Sequence, residues 1–168
     1  KQKFELQIFC LGGNDMSIKI IDYLDKDLIN LNLKSKTKNE VIKELMKTMQ
    51  ESEKVTAPER ALSGLFAREE LGTTGIGKGV AIPHAKTDAV TDLLVGFGIS
   101  REGINYGSMD EEPVKIFFIF LSPLSGNQEY LKILARISRL IREDKFRNSL
   151  LAADTPEKII EIINNEES

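Results

Sequence analysis

Residues 72–86 read GTTGIGKGVAIPHAK, and the interpretation of the whole chain depends on this stretch. Its first eight residues nearly match the nucleotide-binding loop G-x-x-x-x-G-K-[ST], with Gly72, Gly77 and Lys78 in place. Gly79 stands where that loop needs a Ser or Thr hydroxyl to bind Mg²⁺. The stretch is therefore either a defective nucleotide site or a phosphate site of another kind.

The residues around the glycines argue against a nucleotide loop. Such a loop follows a strand and opens a helix, whereas here a helical pattern comes first and the apolar residues 80–83 follow. Pro83 also hinders the start of a long helix at this point. Gly75, Gly77 and Gly79 alternate, and residues without side chains allow a close backbone approach. They predict a tight turn or bulge that leads into a strand.

His84 is the only histidine of the chain and the candidate nucleophile. A structural, partly buried histidine is the alternative. Pro83 fixes the backbone before the ring, and Ala85 keeps bulk away after it. Because the reference pKa of imidazole is about 6.5, a ring nitrogen can attack at neutral pH without a separate base. The glycines, threonines and cations nearby suit a phosphoryl group as its target.

Composition excludes several classes of function. The 168 residues, 41% hydrophobic and 29% charged, fit one soluble domain with a real core. A net charge of -3 disfavours nucleic acid as a partner. One cysteine and one histidine exclude an internal disulfide and argue against a Cys/His zinc site. The longest apolar run, residues 116–121, is too short to span a bilayer. We expect a cytoplasmic protein without membrane insertion, metal or cofactor.

The first fifteen residues differ in character from the rest of the chain. The apolar residues Phe4, Leu6 and Ile8 alternate as in a short strand, and a turn-like GGND sequence follows them. Met16 could correspond to a start codon. We interpret residues 1–15 as an N-terminal extension or an expression leftover. The domain itself is then expected to occupy residues 16–168.

Capping signals punctuate the sequence before the glycine-rich stretch. Thr37 and Glu40 have capping-box spacing, and apolar residues follow at helical intervals. A second box, Thr56 and Glu59, predicts a helix that runs to residues 68–70.

Two buried strands and three helices are predicted after that stretch. The apolar, β-branched and aromatic runs 93–99 and 114–121 indicate strands. A box at Ser125 and Gln128 predicts the start of a long amphipathic helix, and further helices are expected at 146–151 and from Thr155 onward. The outline is one sheet covered by helices.

Three segments together resemble a known family. These are Arg68-Glu69, the run TTGIG at residues 73–77, and the run GVAIPHAK at residues 79–86. The sequence is similar here to the fructose/mannitol-type (type 2) enzyme IIA domain of the bacterial phosphoenolpyruvate-dependent sugar phosphotransferase system, over about residues 16–166. The run EYLKILA at residues 129–135 resembles a second family segment, except that Tyr130 stands where the family usually has another histidine.

The resemblance implies a fold and a phosphoryl relay. The fold would be α/β, a single mixed β-sheet flanked by helices on both faces. His84 would accept the phosphoryl group from phosphorylated HPr and pass it to a IIB domain, with a membrane IIC component downstream. Arg68 would act in the transfer as a catalytic residue, and Glu69 would orient Arg68 or cap its surroundings. The phosphate-stabilising residues would be Thr74, Gly75, Lys86 and Tyr130.

Alternatives to sugar transport remain open. A regulatory, nitrogen-related IIA protein shares the histidine motif and acts by binding other proteins according to its phosphorylation state. A nucleotide enzyme that uses the Gly72–Gly79 loop is a third possibility.

Overall fold

The structure is a computed structural model that describes residues 18–168, and a six-stranded sheet forms its middle layer. The extension proposed for residues 1–15, together with Met16, lies outside the described residues. After a short 3-10 turn (Ile20–Asp22), the elements in chain order are β1 (Leu24–Asn30), α1 (Lys38–Met49), α2 (Pro58–Glu70), β2 (Gly75–Gly77), β3 (Val80–Ala81), β4 (His84–Lys86), β5 (Leu94–Ile104), β6 (Val114–Ser122), α3 (Asn127–Leu140), α4 (Asp144–Ala152) and α5 (Pro156–Glu167).

The sheet is mixed, with the order β1-β5-β6-β3-β2. Strands β5 and β6 form a central antiparallel pair, and β1 lies parallel to β5. Both β3 and β4 pair with β6 in parallel, at successive positions along it. This arrangement places the first residue of β4, His84, opposite Phe120 near the end of β6.

Helices cover both faces of the sheet, as the resemblance implied. Alternate residues of β6 point to opposite faces, and Phe117 and Phe118 are both fully buried. Phe118 packs in one hydrophobic cluster with residues of α3, α4 and α5, and Phe117 packs in another with residues of α1 and α2. The predicted α/β fold with a single mixed sheet is confirmed.

One of the three predicted helix caps forms, and the predicted last helix also begins with a side-chain cap. Thr37 accepts a hydrogen bond from the Glu40 amide at 3.3 Å and begins α1. Thr155 accepts a hydrogen bond from the Lys158 amide at 3.2 Å, and Pro156 occupies the first turn of α5. A missing N–H does no harm there, because the first-turn amides have no partner within the helix.

The other two predicted caps are wrong, although helices begin close to both. The Thr56 hydroxyl donates to the Ala89 carbonyl at 2.9 Å, a bond across 33 positions, and Ala57 is the residue that precedes α2. At α3 the N-cap is Gly126 rather than Ser125. In both places the capping side chain predicted from local spacing is not the one that precedes the helix.

The glycine-rich stretch forms an antiparallel hairpin of β2 and β3. Lys78 (φ 58°) and Gly79 (φ 77°) both adopt the left-handed conformation at its turn, which matches the twist of the flanking strands. The predicted tight turn is confirmed. Strand β3 follows this turn, and helix α2 precedes the hairpin, which is the reverse of the order a nucleotide loop needs.

A buried carboxylate joins the two ends of the described chain. Glu167, in the last turn of α5, accepts hydrogen bonds from the amides of Ile20 (2.8 Å) and Ile21 (3.0 Å). Arg136 on α3 lies 3.4 Å from the same carboxylate and balances its charge. Because both charged side chains are almost completely buried, each depends on the other for compensation.

Candidate active site

His84 lies in the interior at the start of β4, with 1% of its surface exposed. The preceding residue, Pro83, accepts a backbone hydrogen bond from Phe120 at 3.1 Å, and His84 pairs with Phe120 in the sheet. The strand therefore fixes the backbone on which the imidazole is mounted.

One hydrogen bond defines the tautomer of the His84 ring. Nδ1 lies 2.6 Å from the Ile82 carbonyl oxygen, which can only accept, so Nδ1 carries the hydrogen and Nε2 carries the lone pair. The pKa of His84 is lowered to about 4, mainly by burial and also by the nearby Arg68 charge, although the Ile82 bond and Glu69 oppose these effects in part. The ring is thus neutral at pH 7, with Nε2 as its nucleophilic atom.

Two aromatic rings enclose the imidazole. The ring of Phe120 is stacked nearly parallel to it, at a centroid distance of 5.1 Å and an interplanar angle of 9°. Tyr130, from the first turns of α3, is tilted against it at 5.5 Å and 59°. Burial raises the pKa of Tyr130 to about 12, so this ring stays uncharged at physiological pH. The structure therefore brings together His84 and Tyr130, two residues that the sequence places 46 positions apart.

Two cations lie beside these rings. Arg68 lies in the last turn of α2, and its charge lowers the pKa of both His84 and Tyr130. Its Nη1 donates to the Gly72 carbonyl at 2.9 Å. Lys86 is exposed, with Nζ 4.9 Å from the centroid of the Tyr130 ring and hydrogen bonded to Asn127 Oδ1. A ring face attracts such a cation.

Thr74 and Gly75 are held by contacts of their own. Thr74 is 3% exposed, and its hydroxyl lies 2.6 Å from the Glu69 carboxylate and 2.9 Å from the Tyr106 hydroxyl. A Cβ on Gly75 would come within 2.9 Å of Ser108 Cα, so only glycine fits there. The role of both residues toward a phosphoryl group remains a prediction.

The sequence interpretation missed three residues of this region, namely Phe120, Tyr106 and Lys38. Phe120 stood inside a run interpreted only as a buried strand, and Tyr106 and Lys38 come from separate elements. Nothing in the local spacing around these residues indicates that they approach the glycine-rich stretch.

The arrangement suits attack on an electrophilic anion. A neutral imidazole with a directed lone pair lies near a guanidinium, and such groups favour an incoming phosphoryl group. Within residues 18–168, no group of three or more His, Cys, Asp or Glu residues could hold a metal ion. No helix in this same part of the chain is long and apolar enough to cross a membrane.

A sequence profile of the family described as "Phosphoenolpyruvate-dependent sugar phosphotransferase system, EIIA 2" matches residues 22–166. The chain belongs to this EIIA 2 family. The resemblance found in the segments around Arg68 and His84 is thereby confirmed.

The relatives of this EIIA 2 chain carry two kinds of name, fructose-specific components and nitrogen regulatory proteins. It is 36% identical over 147 residues (88% of the chain) to the fructose-specific EIIABC component of Bacillus subtilis, of which it spans only 23%. It is also 36% identical to the fructose-specific EIIA component of Haloferax volcanii, covering 82% of this chain and 89% of that protein. The nitrogen regulatory protein of Bradyrhizobium diazoefficiens is 34% identical, with 86% and 94% covered.

Solved structures share the fold of this EIIA 2 chain. The nitrogen regulatory protein IIA-Ntr of Neisseria meningitidis superimposes with a TM-score of 0.80 at 30% identity, covering 86% of this chain and 98% of that one. The mannitol IIA enzyme of Escherichia coli, solved in complex with phosphorylated IIB, gives a TM-score of 0.71 at 18% identity, covering 84% and 99%. At that identity the second match shows the fold alone.

Proposed function

We propose that this chain is a phosphoryl carrier, with Nε2 of His84 as the acceptor atom. The observation that carries the proposal is the state of the ring: buried, neutral, and oriented by the 2.6 Å contact between Nδ1 and the Ile82 carbonyl. Membership of the EIIA 2 family supports the same assignment. The neighbouring Arg68 charge suits the anionic group that Nε2 would attack.

The transfer is a simple exchange of nitrogen–phosphorus bonds. The Nε2 lone pair attacks phosphorus of the phosphohistidine of HPr; the new bond forms as the old one breaks, and the HPr imidazole leaves with its electron pair. Positive charge that develops on the His84 ring strengthens the Nδ1–H bond to Ile82. The reverse chemistry, with a IIB side chain as acceptor, then discharges the carrier.

Positioned charge supplies the stabilisation in this scheme. The transition state of phosphoryl transfer is loose and highly charged, so alignment and electrostatics dominate. We assign Arg68 to the equatorial oxygens and Lys86 to the outer side of the site. Tyr130 supports Lys86 through its ring, and Thr74 and Gly75 shape the loop that faces the phosphoryl group.

The proposed physiological role is sugar uptake, in the cytoplasm, with a IIB domain as acceptor and a membrane IIC component downstream. The fructose-specific relatives support this role. The nitrogen regulatory relatives support a second candidate, a regulator that binds other proteins according to the phosphorylation state of His84. Both candidates use the same phosphorylated residue.

The first experiment is phosphorylation with purified enzyme I, HPr and phosphoenolpyruvate, followed by intact-mass measurement. We expect one acid-labile phosphoryl group on the parental chain and none on His84→Gln. A reaction without HPr serves as the control. Phosphorylation that survives in the variant, or that resists acid, would overturn the carrier assignment.

A second experiment separates the two roles. Phosphorylated protein is mixed with a purified fructose-type IIB domain, and transfer of label is followed with time. Rapid transfer supports the transport role. Failure to transfer, together with selective capture of cellular proteins by only one of the two phosphorylation states, favours the regulatory role.

A further inference from the structure

Glu69 has a buried carboxylate with partners on both oxygens. Its side chain is 7% exposed. Oε1 accepts from the Thr74 amide at 2.8 Å and lies 2.6 Å from Lys38 Nζ. Oε2 accepts from the Thr74 hydroxyl at 2.6 Å and from the Tyr106 hydroxyl at 3.3 Å. We call these four residues, Lys38, Glu69, Thr74 and Tyr106, the Glu69 network.

The Glu69 network fixes one end of residues 72–74, and Arg68 fixes the other. Glu69 binds the main chain and side chain of Thr74, whereas Arg68 binds the Gly72 carbonyl. Successive residues of a helix point about 100° apart. The last turn of α2 can therefore hold both ends of residues 72–74 while keeping the Arg68 charge near His84.

The other members of the Glu69 network each donate to its carboxylate or balance its charge. Lys38, at the first position of α1, supplies the compensating positive charge and also lies 4.7 Å from the centroid of the Tyr106 ring. Tyr106 is 1% exposed, and burial raises its pKa, so its hydroxyl remains a donor. A buried carboxylate with this many donors is held in one geometry.

We propose that Glu69 is a positioning residue for phosphoryl transfer: through Thr74 it sets the shape of residues 72–74, and through that loop the placement of Arg68 beside His84. In this role it acts through the loop and does not itself take part in the transfer. This inference rests on the proposed carrier function. The sequence interpretation was that Glu69 orients Arg68 or caps its surroundings. The structure adds that Glu69 holds Thr74 and is supported by Lys38 and Tyr106.

The test compares Glu69→Gln with Glu70→Gln, since Glu70 is the neighbouring, exposed carboxylate on the same helix. Glutamine keeps the size of the side chain but not its charge. We expect Glu69→Gln to lower the maximal rate of transfer from phosphorylated HPr roughly tenfold to a hundredfold, with little change in the KM for HPr, because misplacement of a catalytic group acts on the chemical step. Glu70→Gln should transfer at the parental rate.

A double-mutant cycle with Arg68→Ala separates positioning from loss of stability. If Glu69 acts through Arg68, the rate loss caused by Glu69→Gln should largely disappear in the Arg68→Ala background. The proposal would be overturned if the losses of transfer rate in the two single variants multiply fully in the double variant and follow the fall in Tm. A folded Glu69→Gln protein that transfers at the parental rate would overturn it as well.

Hydrogen exchange of the Thr74 amide provides a readout in the unphosphorylated protein. We expect this amide to lose protection in Glu69→Gln and to keep it in Glu70→Gln, because only Glu69 accepts its hydrogen bond. Unchanged protection would contradict the network. If the parental chain accepts no phosphoryl group, both the carrier function and the positioning role are overturned. If the parental chain is phosphorylated normally and Glu69→Gln is phosphorylated at the same rate, only the positioning role is overturned.

Discussion

The imidazole of His84 lies flat against the ring of Phe120, with centroids 5.1 Å apart and an angle of 9° between the planes. The two residues are direct neighbours in the parallel pairing of β4 with β6. Sheet register therefore fixes both the height and the plane of the ring. The orientation of the ring is thus preset by the sheet, while Nε2 itself is buried in this structure.

Replacing Phe120 with Leu should impair transfer more than stability explains. Phe118→Leu is the matched control, because Phe118 is equally buried, lies on the same face of β6 and contacts Phe97 instead of His84. Each change should cost about 1–2 kcal/mol of unfolding free energy, as large-to-small core substitutions do. Only Phe120→Leu should also slow phosphorylation of His84, measured at saturating HPr. Equal rates in the two variants would contradict a positioning role for the stack.

The depressed pKa of His84 predicts a pH-dependent stability. The folded pKa is about 4 and the unfolded value about 6.5, so the unfolded chain binds the proton first. The free energy of unfolding should be full above pH 6.5 and fall by about 3 kcal/mol as the pH drops toward 4. Urea unfolding at several pH values measures this loss.

His84→Gln serves as the control for that measurement, because the chain has no other histidine. The difference between parent and variant isolates the contribution of this one ring from that of the carboxylates. Parallel curves for the two proteins would mean that the folded pKa is not depressed.

Arg68→Ala should slow phosphoryl transfer about a hundredfold, which corresponds to roughly 3 kcal/mol of transition-state stabilisation. Arg68→Lys should restore only part of the rate, because a point charge cannot replace the planar guanidinium. The control is Arg60→Ala, an exposed arginine on the same helix, paired with Asp88 at the surface. Transfer at the parental rate by a folded Arg68→Ala protein would mean that Arg68 has a structural role, such as its bond to Gly72, and not a catalytic one.

We expect Tyr130 to make the phosphorylated site less dependent on pH near neutrality. Its pKa of about 12 keeps it uncharged, whereas a histidine there would titrate near pH 6.5. Tyr130→His should therefore slow hydrolysis of the phosphohistidine or shift its pH dependence. Tyr130→Phe keeps the ring contact with His84 and should change the lifetime by a factor that corresponds to about 1 kcal/mol or less. The measurement is the phosphohistidine lifetime between pH 6 and 8 for the parental protein and the two variants. Identical pH profiles for all three proteins would contradict the prediction.

Periodicity and turn chemistry predicted most of the fold. Strand β1 was missed because Asp25, Lys26 and Asp27 interrupt its apolar pattern, and its pairing with β5 shifts register between Leu24 and Ile29. This strand lies at one end of the sheet order, where exposed charged side chains are tolerated. Local pattern therefore identified the central strands but not this peripheral one.

The sequence predicted those residues of the candidate site that lie close to one another along the chain. His84, its proline and the hairpin glycines are close in sequence, and Tyr130 was found through the family segment. Phe120, Lys38 and Tyr106 were not, because tertiary contacts across 30 or more positions bring them to His84 and Glu69. The same reason explains the error at Thr56, whose hydroxyl bonds to Ala89 rather than to its own helix.

The carboxylate of Glu167 holds the amides of Ile20 and Ile21, so the described chain enters and leaves the fold at one corner. Any polypeptide attached before and after this unit would emerge side by side, the geometry that permits a domain to be inserted into a larger protein. Mechanical tension between two such attachments would fall first on these carboxylate contacts. The paired strands β5 and β6 would carry the load only after this junction had opened.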